Sequence, residues 1–119
     1  MSPRIARAAE LPAALAERAF FEALRSARLP IPDAEYRFAP PRKWAFDYAW
    51  ITQRIALEVE RGAWTRGRHT RGVGYMKDLI KYNEASVRGW TLIRVTPQMF
   101  VRPETVELVQ RAIVRWRAE

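Results

Sequence analysis

The chain has 119 residues, a formal net charge of +8 and no cysteine. This length fits one domain over residues 1–119, and the positive charge favours a polyanionic partner, with nucleic acid first, although any basic globular protein would carry it too. The lack of cysteine excludes disulfides and thiolate metal sites and fits a cytoplasmic location, and no apolar run is long enough to suggest a membrane partner.

Hydrophobic periodicity and the breaking residues Pro and Gly predict seven elements in the order α-β-β-β-α-β-α. After a loose segment at 1–9, they are a helix from 10 or 11 to 28, strands at 35–39, 44–50 and 54–60, a helix at 75–88, a strand at 90–95 and a helix from 103 or 104 to about 117. The last helix has a predicted buried stripe of Val106, Val109, Ile113 and Trp116. The predicted class is α/β, with a single mixed sheet flanked by helices.

The strands at 44–50 and 54–60 are predicted to form a hairpin with one apolar face. Strict alternation places on that face Trp44, Phe46, Tyr48, Trp50, Ile55, Leu57 and Val59. Because the apolar faces must coincide, Trp50 should pair with Ile55, and this register sets Asp47 directly opposite Glu58.

Asp47 and Glu58 therefore pose an electrostatic problem, since like charges directly opposite each other destabilise a sheet. A cation between them would solve it, and Mg²⁺ suits carboxylate oxygens together with water and phosphate. Glu60, one pleat further on the same face, would be a third oxygen ligand near the metal.

The first helix carries one more acid, Glu17, on the stripe that contains Phe20 and Leu24. A charge on a core-facing stripe is costly unless it is paired or bound to a metal. Two interpretations stay open: Glu17 is a fourth carboxylate near the metal, or it lies at the edge of the stripe and pairs with an arginine.

The loop at 62–74 and its preceding residue are rich in arginine and glycine and contain no acid. Its candidate DNA-binding side chains are Arg61, Arg66, Arg68, His69 and Arg71. Guanidinium groups match phosphate oxygens, so we expect backbone contacts that give affinity and not sequence reading. His69 is expected to donate to phosphate more readily than to act as a general acid or base.

The ordered combination of these motifs resembles the PD-(D/E)XK nuclease superfamily, and within it the small Vsr-like and phage-type endonuclease branch. The resemblance covers roughly residues 17–96. It is carried by Glu17 on the first helix, the run KWAFDYAW (43–50), the run IALEVE (55–60), a Gly-x-Trp, the Arg-His loop, the KDLIKYN helix (77–83) and a Gly-Trp before an aliphatic strand. It implies a restriction-endonuclease-like core and a metal-dependent DNA endonuclease using Mg²⁺ or Mn²⁺.

Carried over residue by residue, the resemblance implies that Asp47 and Glu58 are the principal metal ligands and that the carbonyl of Val59 adds another. Glu60 stands where many members carry a catalytic lysine. Lys77, or Lys81 one helical turn later, would replace that lysine, although either is equally explained as a solvated or phosphate-binding residue. Glu60 itself would bind a second metal or act as a general base.

Two functional classes follow from the sequence. The first is a DNA endonuclease that makes nicks or cuts at particular DNA structures; a branched-DNA resolvase among these would need a homodimer. The second is a non-catalytic basic nucleic-acid-binding protein with a degenerate nuclease fold. Acids that face a polyanion favour the enzyme, because without a metal they would repel the DNA.

Overall fold

A four-stranded sheet lies at the centre of the computed structural model, which describes residues 11–61 and 72–119. The elements in chain order are α1 (Ala13–Ser26), β1 (Asp33–Arg37), β2 (Ala45–Trp50), β3 (Ile55–Val59), α2 (Val73–Val87), β4 (Thr91–Val95), α3 (Pro97–Phe100) and α4 (Pro103–Ala118). The predicted order is confirmed, with the short helix α3 as an addition. Its signal was present in the sequence, since Thr96 caps the helix by accepting from the Met99 N–H and a proline follows at the first helical position.

The strand order in the sheet is β1-β2-β3-β4. The first three strands are antiparallel neighbours, whereas β3 and β4 are parallel. Parallel neighbours need a crossover connection, and α2 lies within it. The expected single mixed sheet flanked by helices is therefore confirmed.

Pairing between β2 and β3 confirms the predicted register at the turn end of the hairpin. Trp50 pairs with Ile55, Ala49 with Ala56, and Tyr48 with Leu57. The regular ladder goes no further, so it stops one residue before Asp47 and Glu58.

One side of the sheet is covered by α1, α3 and α4 through the larger apolar cluster. Residues 16, 20 and 24 of α1 are buried, as their spacing along one helical face requires. The fully buried side chains of this cluster include Phe20, Leu24, Leu57, Phe100, Val109 and Ile113.

A second, more aromatic cluster contains Ala49 and Ala56 of the hairpin and Ala85 of α2. Phe46 belongs to this cluster, where its ring stacks on Phe38 with centroids 4.1 Å apart. The prediction that Trp44 and Phe46 share a face with Tyr48 and Trp50 is therefore wrong.

The cause is a break in alternation at Asp47. The ladder to β3 has ended there, and the β1 residue opposite, Glu35, has a φ of 54° and does not pair. The two halves of β2 can consequently present their aromatic rings to different clusters.

Two further expectations need correction. Trp116 was predicted to be buried but is 37% exposed, because residues 114–118 form a last turn of α4 that is exposed throughout. Val73 and Gly74 were assigned to the loop but begin α2. No helix within 11–61 and 72–119 has the length and hydropathy needed to cross a membrane.

Candidate functional site

Where the β2–β3 ladder stops, Asp47 and Glu58 replace it with their side chains. The backbone N–H of Asp47 donates to Oε2 of Glu58 at 3.0 Å, and the backbone N–H of Val59 donates to Oδ2 of Asp47 at 2.7 Å. Each carboxylate thus binds the backbone of the opposite strand. Buried backbone donors need acceptors, and these two acids supply them where the neighbouring strand no longer does.

The cation that the facing acids were expected to require is present as a side chain. The Lys81 ammonium, on α2, forms an ion pair with Oε1 of Glu58 and donates to the carbonyl oxygen of Ala45 at 2.8 Å. The Tyr82 hydroxyl donates to the same Glu58 oxygen at 3.2 Å. Both oxygens of Glu58 are therefore engaged, and the Tyr82 hydroxyl helps to fasten α2 to the sheet.

Glu58 is only 4% exposed, and its burial dominates its acidity. Removal from water raises the pKa of the Glu58 carboxyl above its ordinary value of 4.5, against the opposing effects of Lys81 and the Asp47 N–H. Burial and the nearby Glu58 charge also raise the pKa of Tyr82, so its hydroxyl remains a hydrogen-bond donor.

Glu17 reaches the same region from α1. Its Oε1 accepts a hydrogen bond from the Tyr48 hydroxyl at 2.9 Å, and among residues 11–61 and 72–119 it pairs with no arginine of the kind considered in one interpretation. Burial and this hydrogen bond raise the pKa of Tyr48. Tyr48 was predicted only as part of an apolar face. The overlooked signal is that a buried tyrosine still needs a partner for its hydroxyl.

A polar cleft of about 330 Å³ lies beside Glu17, Asp47 and Tyr48. It is lined by Glu17, Ala34, Glu35, Asp47, Tyr48 and Arg61. The structure therefore brings Glu17 and Asp47 to one cavity, with the exposed Arg61 at its wall. Glu58 is not among the lining residues; one of its oxygens accepts from the Asp47 backbone N–H, and the other faces Lys81.

Glu60 has a different neighbour. Its Oε1 accepts from Nε of Arg94 at 2.8 Å, and the Arg94 guanidinium lies 4.5 Å from the centre of the Tyr82 ring. The acid that stands in the expected lysine position is thus held in a partly exposed ion pair.

The remaining candidates are distributed unevenly. Lys77 is exposed on α2, with no hydrogen bond or ion pair to an acid within 11–61 and 72–119. Val59 contributes its N–H to Asp47, while the role predicted for its carbonyl stays a prediction. Arg66, Arg68, His69 and Arg71 lie outside the described residues.

The donor set suits a hard divalent cation in kind, since Asp47 and Glu17 bring carboxylate oxygens to the cleft. Oδ2 of Asp47 is engaged, whereas its Oδ1 has no hydrogen bond within 11–61 and 72–119. In that part of the chain no group of three or more His, Asp or Glu side chains is clustered closely enough to hold a metal ion. Metal binding by Glu58 would require one of its present partners to give way.

Comparison with protein-family models, with curated proteins and with solved structures finds no match for this chain.

Proposed function

We propose that the chain is a DNA endonuclease that hydrolyses phosphodiester bonds with Mg²⁺ or Mn²⁺. The observation that carries this proposal is the exchange of hydrogen bonds between Asp47 and Glu58, which holds two carboxylates side by side at the open end of a hairpin. The resemblance to PD-(D/E)XK nucleases and the confirmed element order support it.

Asp47 is the residue that would hold the metal from the cleft, with Glu58 as its second carboxylate. A bound Mg²⁺ or Mn²⁺ would lower the pKa of a coordinated water and offset charge on the phosphate. The hydrogen bond from the Val59 N–H fixes one Asp47 oxygen and so orients the other. Preorganisation of this kind reduces the cost of arranging a charged group during the reaction.

Glu60 stands where the resemblance leads us to expect a lysine, and Lys81 is our candidate to replace that lysine. The Lys81 ammonium forms an ion pair with Glu58, whereas Lys77, one helical turn earlier, is exposed. A lysine beside the metal carboxylates would bind a non-bridging oxygen of the scissile phosphate and stabilise the developing negative charge. Glu17 and Tyr48 would orient water or phosphate at the opposite wall of the cleft.

The decisive experiment uses the isosteric variants Asp47→Asn and Glu58→Gln, which keep the oxygen atoms that accept the backbone N–H groups. Supercoiled, nicked, linear, branched and single-stranded DNA are incubated with wild type and variants in Mg²⁺ or Mn²⁺. We expect cleavage by wild type and a loss of about a hundred- to a thousandfold in each variant, the scale seen when one charge-stabilising group is removed.

Glu22→Gln is the matched control, because Glu22 forms an exposed pair with Arg25 on α1. It should cleave like wild type. Full activity in both Asp47→Asn and Glu58→Gln would remove the assignment of the site. A loss in Lys81→Met with an unchanged rate in Lys77→Met would support Lys81 as the replacement lysine.

One observation favours the second candidate, a non-catalytic nucleic-acid-binding protein. Glu58 and Glu60 are each neutralised by a basic side chain, Lys81 and Arg94, so neither acid needs a metal to coexist with DNA. This candidate predicts DNA binding that does not require Mg²⁺, with no cleavage of any of the five substrates. A homodimer remains a proposal for the branched-DNA case alone, and sedimentation of the purified chain tests it.

A further inference from the structure

We propose that Arg42 and Lys43, in the turn before β2, form a phosphate-binding element that holds duplex DNA beside the candidate site. The inference rests on the proposed DNA substrate, but it concerns a surface that the cleavage proposal does not use. Both side chains are exposed.

The charge around this turn has one sign. Between Glu35 and Asp47 the chain contains Arg37, Arg42 and Lys43 and no acid. Within 11–61 and 72–119, neither Arg42 nor Lys43 forms an ion pair. Their charge is therefore left for a partner outside the fold, and a phosphodiester backbone is the partner that a basic nuclease would meet there.

Arg42 is held in place by the second cluster. Its guanidinium lies 4.3 Å from the centre of the Trp44 ring, and its backbone N–H donates to Ala39 at 2.9 Å. Trp44 in turn stacks on Phe38 with an interplanar angle of 17°. A guanidinium positioned over an aromatic ring keeps its edge free for oxygen atoms, so less ordering is needed when phosphate binds.

The same aromatic stack leads to the candidate site. Phe38 stacks on Phe46, and the Lys81 ammonium lies 5.9 Å from the centre of the Phe46 ring. Lys81 also binds the carbonyl of Ala45, which is three residues after Arg42. Three residues span at most about 11 Å, so Arg42 would reach a phosphate within about three nucleotides of the one at the site.

Basic side chains lie on two sides of the candidate site. Arg61 lines the cleft that contains Glu17, and the Arg42–Lys43 turn lies beside the second cluster, which contains Ala85 of α2. Basic groups on both flanks would hold the strand across the open end of the hairpin, where the two carboxylates lie. This arrangement fits a backbone that passes over the end of β2.

The test measures binding without cleavage. A fluorescein-labelled DNA duplex is titrated with the full chain in EDTA at several salt concentrations, and the slope of log K against log salt is compared between variants. The slope is negative, and each lost phosphate contact should reduce its magnitude by about 0.9. Arg42→Ala/Lys43→Ala should therefore reduce the magnitude by about 1.8 and weaken binding about tenfold or more at 0.1 M salt.

Arg111→Ala/Arg117→Ala is the charge-matched control, since both side chains are exposed on α4, which contributes nothing to the cleft. It should retain the wild-type slope. Arg42→Lys/Lys43→Arg keeps both charges and should keep most of the slope, which separates charge from any packing effect; thermal unfolding of each variant verifies the fold.

Equal slopes in Arg42→Ala/Lys43→Ala and the α4 control would overturn the proposal. The outcome is independent of catalysis. If the Arg42→Ala/Lys43→Ala variant has a slope of smaller magnitude and wild type cuts no DNA, the phosphate contacts are upheld and the nuclease proposal is refuted. Normal slopes in a protein that loses cleavage with Asp47→Asn would do the reverse.

Discussion

The two ends of the β2–β3 hairpin differ in what holds the strands together. At the turn end, Trp50 and Ile55 pair by a regular backbone ladder above a fully apolar layer. At the open end, Asp47 and Glu58 perform the pairing with side chains, and a lysine from α2 balances the charge. The first arrangement derives stability from burial, whereas the second uses polar groups that a ligand can also engage.

The largest effect on stability is expected at the turn end. Leu57 is 0% exposed, so Leu57→Ala should lower the free energy of unfolding by about 3 kcal/mol through lost burial and a cavity. Urea denaturation measures it. Asp47→Asn, ten residues earlier on the partner strand, should change it by less than about 1 kcal/mol because its oxygen still accepts from Val59. Equal losses would contradict the distinction between the two ends.

Breaking the charge balance at the open end should come second. In Lys81→Met, the buried Glu58 carboxylate loses its cation, and we expect a loss of about 2–3 kcal/mol, reduced from the fully buried case because the Lys81 side chain is 16% exposed. Adding Glu58→Gln should recover part of that loss. A double-mutant cycle by denaturation measures the coupling, and additive losses would show that the pair is not coupled in solution.

A smaller loss is expected where Glu17 meets Tyr48. Tyr48→Phe removes the hydroxyl that donates to Glu17 while the ring stays in the larger cluster, so unfolding free energy should fall by about 1 kcal/mol. Thermal or urea unfolding gives the value. Tyr75→Phe is the control, since Tyr75 is 54% exposed and should lose almost nothing.

The difference between the ends should also appear as a shallow pH dependence. The raised pKa of Glu58 means that the folded state holds a proton more tightly than the unfolded state. Protonated Glu58 therefore makes its full contribution to the free energy of unfolding below its ordinary pKa of 4.5. This contribution is lost as the pH rises through the raised pKa of the folded state. Wild type should therefore lose stability relative to Glu58→Gln as the pH rises above 4.5. A constant difference would refute the shift.

The sequence was sufficient for the elements and for the turn end because local rules decide both. Alternating residues set the Trp50–Ile55 register, and a glycine with a φ of 85° follows α2 where a helix stop was expected at Gly89. The change of face between Phe46 and Tyr48 was not predictable in this way. It depends on two aromatic residues outside β2: the ring of Phe38 stacks on Phe46, and the ring of Phe20 packs at a tilt against Tyr48.

The candidate site could also be predicted only where local rules decide it. The position of Asp47 opposite Glu58 follows from the strand register alone. The cation that pairs with Glu58 is Lys81, which lies 23 residues further along the chain. Spacing on α2 offered Lys77 and Lys81 as alternatives without choosing, and only the packing of Ala85 and Tyr82 toward the sheet orients Lys81 to the acid. Likewise, nothing local to Glu60 indicates Arg94 as its partner.

The exchanged hydrogen bonds have a consequence for how this chain can change over generations. Asp47 and Glu58 serve the backbone of the opposite strand whether or not they serve a reaction. Selection for a well-folded protein alone would therefore keep an oxygen acceptor at both positions, as the acid or its amide, in descendants that had lost catalysis. Retention of an oxygen acceptor at the two positions among relatives would record the need to close the hairpin, and the trace of lost activity should be sought instead at the open Oδ1 side of Asp47.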